Sequence, residues 1–513
     1  MPEEMLGKIK NKITPQWKTC FWSAIIVGLI THFYKITNWL PNWDSLVFRY
    51  DAQNMVKLGR WFLPFASAPS SFYDLPWITG LLAILFCALS AVIICEMFAV
   101  RKNATAVLIG AAVVSFPTVT STMLYNYVAD SYAISFLLAT VAAWLLTKEK
   151  PRYVVSGLLI TLSVGIYQAY ITVTIMLLLC HLIFEVLYKE TKIKALLIKA
   201  GKFLLTGICS MALYYLVLNV ILKLTGTVLL DYQGFSDTAS LSGLDIWGSL
   251  YTITNSFFSF FFDFSNGVSV FTGLNVLIFS FSAAFYLADV IAKKLKFSKV
   301  LVAFILSAFL PVCASVLAFI NSHVDYHNLM KMGFFAFYLL FILQYERIEV
   351  EKIKLNRVKA WAVLVLTALL VFNQIIIANV SYHKITMAYE KSYGVLIRIA
   401  DRIEQTEGAE ACDRILVLGA LPGSEAYSSL LPPDITGTTD GYILRADDEI
   451  VGQSVLCSAL NDYCGKNYKF LAGEEKAALL EKIDKDIKIW PAKESVFVTD
   501  NVIVIKLGET EVG

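Results

Sequence analysis

Residues 38–72 read NWLPNWDSLVFRYDAQNMVKLGRWFLPFASAPSSF. Two carboxylates, Asp44 and Asp51, and two guanidiniums, Arg49 and Arg60, sit among aromatic side chains in this stretch. It is a charged island between two long apolar runs. The fold depends on what those runs are, and the chemistry depends on which side of them the island faces.

The runs are membrane spans. The 513 residues are 57% hydrophobic and 16% charged, with mean hydropathy +0.63. Soluble domains carry roughly 25% charged residues, so this chain uses lipid as its solvent. Crossing the hydrocarbon core takes about 20 apolar residues. Spans are expected near 18–37, 76–99, 104–125, 131–147, 153–167, 169–188, 203–224, 268–292, 300–320, 329–345 and 360–379, about eleven in all. Basic residues precede the first run, but no small-residue cleavage site follows it. A retained first span is therefore expected.

Lysine and arginine set the orientation. With the N-terminus in the cytoplasm, the inner segments hold 23 of them and the intervening outer segments 6. The island at 38–72 is then outside. The apolar run 153–188 has basic clusters at both ends and Tyr167-Gln168-Ala169-Tyr170 in its middle. Two short spans breaking at that tetrapeptide are expected. The aromatic run 247–265 would upset the alternation if it crossed, so it is expected to be an interfacial or re-entrant helix.

Composition changes after Asn379. Residues 380–513 contain no span and are read as a small α/β domain outside the cell. A helix is expected at 385–406, a strand at 413–419, a helix at 474–487, and a final hairpin in SVFVTDNVIVIKL turning at Asp500-Asn501. The domain division is thus 1–379, with its outer loop at 38–75, and 380–513. Six of the nine cysteines lie in apolar stretches, and no C-x-x-C pair suggests a zinc or redox site. A Cys457–Cys464 disulfide is compatible with the spacing but not required by it.

Ionisable groups at membrane depth are functional candidates by default. At the outer helix ends these are Asp44, Arg49, Asp51 and Arg60, then Asp130, then Tyr167 and Gln168 at the break, then His323, Asp325, His327 and Lys331. The arrangement suits sugar transfer from a lipid-phosphate donor. A carboxylate takes the proton of an acceptor hydroxyl, and cations hold the phosphate where charge grows. Each group also has a structural reading. Asp44 or Asp51 would cap or flank an amphipathic helix through 44–60, with Asp44-Ser45 at its N-terminus, and Asp130 would cap a span starting at Ser131. Arg49, Arg60 and Lys331 would anchor to headgroups. Tyr167 and Gln168 would satisfy broken backbone. In a helix through 44–60, Asp44 and Asp51 would point about 20° apart and face one pocket.

WDSLVFRYDAQNMVKLGRWF in the first loop, YNYVADSYAISFLLAT, SVGIYQAYIT and the final KESVFVTDNVIVIKL together resemble the bacterial serotype-converting O-antigen glucosyltransferases of the second type. These belong to the multi-span GT-C glycosyltransferases. The resemblance implies a polytopic α-helical membrane protein of GT-C type in the bacterial cytoplasmic (inner) membrane, with a C-terminal α/β extracytoplasmic domain. It implies transfer of a hexose, usually glucose, from a polyprenyl-phosphate-sugar donor to a surface polysaccharide acceptor. It places the general base on an acidic residue of the first outer loop, here Asp44 or Asp51; Asp130 is a further candidate catalytic carboxylate by its own place at the outer helix ends. Direct attack would invert the anomeric carbon. Arg49, Arg60, His327 and Lys331 would hold phosphate, with Tyr167 and Gln168 also binding substrate. No metal ligands and no cofactor are expected, a divalent metal being the disfavoured case. The lipid bilayer is a partner and nucleic acid is not. The alternative is a transporter or flippase of lipid-linked sugars, which would carry midplane charge and internal repeats.

Overall fold

The computed structural model describes residues 7, 13–42, 44–45, 55–230, 245–265, 267–319, 326–348, 354–419, 421, 435, 449–484 and 486–509. The chain forms two compact units. The first comprises Met1–Asn38, Tyr50–Asn379 and Leu430–Thr436; the second comprises Trp39–Arg49, Val380–Ser429 and Gly437–Gly513. The first loop is therefore divided. Asp44 goes with the terminal part of the chain and Arg60 with the apolar part.

The first unit is helical. Its helices are α1 (Pro15–Thr37), α2 (Leu63–Ser67), α3 (Pro76–Met97), α4 (Asn103–Ser115), α5 (Pro117–Leu124), α6 (Asn126–Thr147) and α7 (Tyr153–Ile166). Then come α8 (Ile171–Tyr188), α9 (Ile193–Thr225), α10 (Ile246–Phe261), α11 (Val270–Ala292), α12 (Phe297–Ala308), α13 (Leu310–Ala314), α14 (Phe335–Glu346) and the first part of α15 (Lys354–Glu404), whose residues from Val380 onward belong to the second unit. Among the described residues nine helical segments are long and apolar enough to cross a membrane. Two more apolar helices, Tyr153–Ile166 and Met332–Glu346, are shorter. The expected break in 153–188 is there: Gln168–Tyr170 forms a 3-10 turn between α7 and α8.

Caps begin these helices where the sequence offers them. Thr14 accepts from the Trp17 N–H at 3.2 Å with Pro15 in the first turn, and Ser269 accepts from Thr272 at 3.0 Å. The segment Asn103–Leu124 is 94% buried and Gln168–Tyr188 89%, so these lie at the centre of the unit. The segments of α9, α11 and α12 are buried by 22%, 22% and 17%, and present their apolar faces outward, as lipid-facing helices do.

Two expectations are corrected. The helix through 44–60 does not reach Arg60: Val56–Leu58 is a 3-10 turn closed by Gly59 at φ 76°, a left-handed conformation that glycine adopts without strain. Helix α15 does not stop at Asn379; it runs unbroken to Glu404, because no proline interrupts Lys354–Glu404 and Ser381, Tyr382 and Ile385 are buried in its packing. At 51 residues it is about 75 Å long and far exceeds a bilayer core. Cys457 and Cys464 are both free thiols. Helix α10 spans 16 residues, with Phe257, Phe260 and Phe261 buried and Trp247 and Tyr251 exposed, a two-faced helix too short to count among the nine.

The second unit holds β1 (Arg414–Leu418), α16 (Glu449–Cys464), β2 (Lys469–Phe470), α17 (Gly473–Leu480), β3 (Val496–Thr499) and β4 (Val502–Lys506). The four strands are ordered β2-β1-β4-β3. β1 runs parallel to β2 and β4, pairing Ile415 with Phe470 and with Ile503, while β3 and β4 are antiparallel. The hairpin turns at Asp500 and Asn501, both at positive φ, 49° and 60°, the signature of a tight two-residue turn. Alternation decides the faces. Ile415, Val417, Ile503 and Ile505 pack with Leu396, Ile399 and Leu456, while Leu416, Leu418 and Val504 pack with Leu471 and Leu479.

Close helix approach in the first unit depends on small residues. A Cβ at Gly110 of α4 would collide with the Cys20 carbonyl of α1 and lie 3.1 Å from the Ala24 nitrogen. Backbone cannot yield cheaply, so Gly110→Leu is expected to lose about 1–3 kcal/mol. Thermal unfolding in detergent measures this, and an unchanged midpoint would contradict the packing.

Candidate active site

The break between α7 and α8 is where the first loop docks. Gln168 Nε2 donates to the Leu58 carbonyl at 2.7 Å and to Tyr214 Oη at 3.2 Å. Tyr214 Oη in turn donates to the Gly59 carbonyl at 2.9 Å. The Phe62 N–H bonds the Gly165 carbonyl at 2.8 Å. A Cβ at Gly165 would lie 2.8 Å from the Trp61 ring, so glycine there admits the indole. Leaving helical geometry frees backbone groups that lipid cannot satisfy. Here the loop and the break satisfy one another.

The docked loop directs Arg60 inward. Its Nη1 donates to Tyr132 Oη at 2.9 Å, and its Cζ lies 4.8 Å from the centre of the Tyr167 ring. Tyr132 and Tyr167 stack at 4.5 Å and 5°. Tyr170 stands edge-on to both, at 6.3 and 6.0 Å. A guanidinium against an aromatic face is held by charge and quadrupole together, and this part of the site is built from two candidates the sequence singled out, Arg60 and Tyr167. Gln168, the third, spends its amide N–H groups on the loop and on Tyr214 of α9.

Asp130 lies one turn inside α6 and does not open it; the residue preceding the helix is Tyr125, so the capping reading is corrected. The carboxylate is fully buried. Oδ1 accepts from the Ser131 N–H at 2.8 Å and from its hydroxyl at 3.3 Å. Ser131 Oγ meets Ser67 Oγ of α2 at 2.8 Å. Ser70 comes close to the carboxylate, but its hydroxyl donates to the Ser67 carbonyl at 3.0 Å, and Oδ2 has no hydrogen-bond partner among the described residues. Four further buried atoms on the same stretch share that condition: Thr118 Oγ1, Thr120 Oγ1, Ser121 Oγ and Asn126 Oδ1. A buried polar atom left unbonded costs about 1–3 kcal/mol, so a row of them is a feature that needs a reason.

Three residues here were not singled out in the sequence. Asn126 Nδ2 donates to Asp74 Oδ1 at 2.6 Å. Asp74, just ahead of α3, attracts the buried ammonium of Lys35 near the end of α1. The available signal was a pair of opposite charges at the two ends of the first loop.

Lys331 is buried, with Nζ 5.6 Å from the centre of the Phe260 ring. His327 precedes the turn Asn328–Met330, which packs against α5, the helix that carries Thr118, Thr120 and Ser121. Asp44 and Ser45 are helical in the second unit, and the Ser45 N–H is capped by Asn42 Oδ1 at 2.8 Å. Asn42 thus takes the capping role offered to Asp44. Arg49, Asp51, His323 and Asp325 lie outside the described residues. Among the described residues no group of three or more His, Cys, Asp or Glu side chains could hold a metal ion.

The apolar helical bundle thus carries a docked loop and buried polar atoms at one set of helix ends. The family model described as Glucosyl transferase GtrII matches residues 33–323, more than half of the chain, and the chain belongs to that family. It is accordingly a glucosyltransferase of the GT-C type, with a sugar donor and a polysaccharide acceptor. The matched interval contains the first loop, Asp130 and the Tyr167-Gln168 break. No curated protein and no solved structure matches the chain.

Gln168→Leu removes the donor to Leu58 and leaves that half-buried carbonyl without its side-chain partner. A loss of about 1–3 kcal/mol in local stability is expected. Hydrogen exchange of the 55–62 amides reads it directly; exchange equal to that of the parent protein would contradict the clamp.

Proposed function

We propose that the protein moves a glucosyl group from a polyprenyl-phosphate carrier to a surface polysaccharide at the outer face of the cytoplasmic membrane, inverting the anomeric carbon. The observation that carries this reading is the row of buried polar atoms from Thr118 to Asp130 that have no hydrogen-bond partner among the described residues. A sugar offers donors and acceptors all round its ring, and such a row suits it. The distribution of lysine and arginine supports a cytoplasmic N-terminus and an extracytoplasmic second unit.

The acceptor hydroxyl oxygen attacks C1 of the donor sugar. The new C1–O bond forms as the C1–O bond to phosphate breaks, and the polyprenyl phosphate departs with the electron pair. An aspartate of the first loop, Asp44 or Asp51, takes the acceptor proton. Asp130 holds a sugar hydroxyl through Oδ2. Negative charge grows on the departing phosphate, and Arg60, Arg49, His327 and Lys331 supply the compensating charge. Tyr167 presents its ring to the substrate, and Gln168 keeps the loop that carries Arg60 in place. With cationic side chains in that role, we take the reaction to need no divalent metal.

Purified protein, polyprenyl-phosphate-glucose and acceptor polysaccharide test the assignment. Either Asp44→Asn or Asp51→Asn is expected to lower kcat by about 10²–10⁴-fold. Asp130→Asn should act mainly on KM, and chelation of divalent cations should leave the parent rate unchanged. Retained transfer in both first-loop variants would sink the base assignment, and loss of transfer on chelation the metal assignment.

A further inference from the structure

A second site lies at the opposite ends of the helices from Asp130. The turns joining α6 to α7 and α8 to α9 enclose a cavity of about 330 Å³ lined by four lysines, Lys148, Lys189, Lys199 and Lys202, and by Glu149 and Glu185. Lys199 and Lys189 share the Glu185 carboxylate at 2.8 and 3.4 Å. Lys199 Nζ also lies 3.0 Å from His181 Nε2. Lys148 is paired with Glu96 at 3.0 Å, away from the cavity's own carboxylates. Lys202 faces the Tyr153 ring at 6.0 Å and forms no ion pair among the described residues. Four ammonium groups against Glu149, Glu185 and the Glu96 that pairs with Lys148 leave the cavity net positive by one charge.

The rim decides the kind of ligand. Ile198 lines the cavity and is 52% exposed, and Val154, next to Tyr153, is 78% exposed. Both stand on apolar helices, so lysine and exposed aliphatic surface meet at one edge. Ammonium groups bind phosphate as point charges, and aliphatic surface at a span end takes an acyl chain. A free anion would use only the first.

We propose that this cavity binds the phosphate of an anionic phospholipid, with the acyl chains lying along Ile198 and Val154. Such basic pockets between membrane helices are suited to lipid headgroups. The site stands apart from sugar transfer and does not depend on the assignment of the base.

The test uses full-length protein reconstituted in vesicles of phosphatidylcholine and phosphatidylglycerol. Native mass spectrometry after extraction counts the lipid retained on the protein. The parent protein is expected to retain phosphatidylglycerol in preference to phosphatidylcholine. Lys189→Gln with Lys202→Gln should weaken that retention roughly thirtyfold, from about fivefold per lysine. Lys189→Arg with Lys202→Arg should preserve it, and excess inorganic phosphate should leave it unchanged. Undiminished retention in the glutamine pair would overturn the site, as would loss in the arginine pair. Displacement by inorganic phosphate would overturn its assignment to a lipid.

Discussion

The hydrogen bonds of Gln168 hold the membrane unit's polar end together. An apolar run of 36 residues, 153–188, is interrupted between α7 and α8. An interruption in lipid is tolerated only where the freed backbone finds partners. The loop at Leu58–Phe62 supplies and receives those partners, through Gln168, Tyr214 and Gly165. The break is therefore a socket. It places Arg60 against Tyr132 and Tyr167 at the helix ends.

Around that socket the interior is more polar than a membrane protein tolerates without cause. The charges of Lys35 and Asp74 compensate one another, and Asn126 adds a hydrogen bond to the carboxylate. The hydroxyls of Thr118, Thr120 and Ser121 and the second oxygen of Asp130 have no such compensation among the described residues. Their placement at the same helix ends as Arg60 concentrates both the electrostatic and the hydrogen-bonding capacity in one region. At the other ends of the helices, lysines are paired with glutamates or face rings, as Lys148 does with Glu96 and Trp144. The two ends are chemically different, as expected of a catalyst with one working face.

Much of this was legible in the sequence because it is written in local chemistry. The apolar runs gave the helices, Tyr167-Gln168 marked the break, and Asp500-Asn501 marked the hairpin through residues that tolerate positive φ. Arg60 and Asp130 stood out as ions where ions are rare. What stayed hidden was non-local. That Trp39–Arg49 belongs with the terminal residues rests on contacts such as Trp39 with Tyr389 and Tyr463, which no periodicity announces. Lys35 and Asp74 gain meaning only when the ends of α1 and α3 meet. The continuation of α15 past Asn379 was obscured because its solvent changes while its backbone does not.

The central claim is that this frame performs sugar transfer with direct displacement, and does not merely move lipid-linked sugars across the membrane. The most direct measurement is the anomeric configuration of the product formed by the purified protein from a polyprenyl-phosphate-glucose of known anomer, read by NMR. Glucose is expected to be linked to the polysaccharide in the configuration opposite to that of the donor. A product with retained configuration would contradict direct displacement, and translocation of the donor in proteoliposomes with no product would contradict transfer itself.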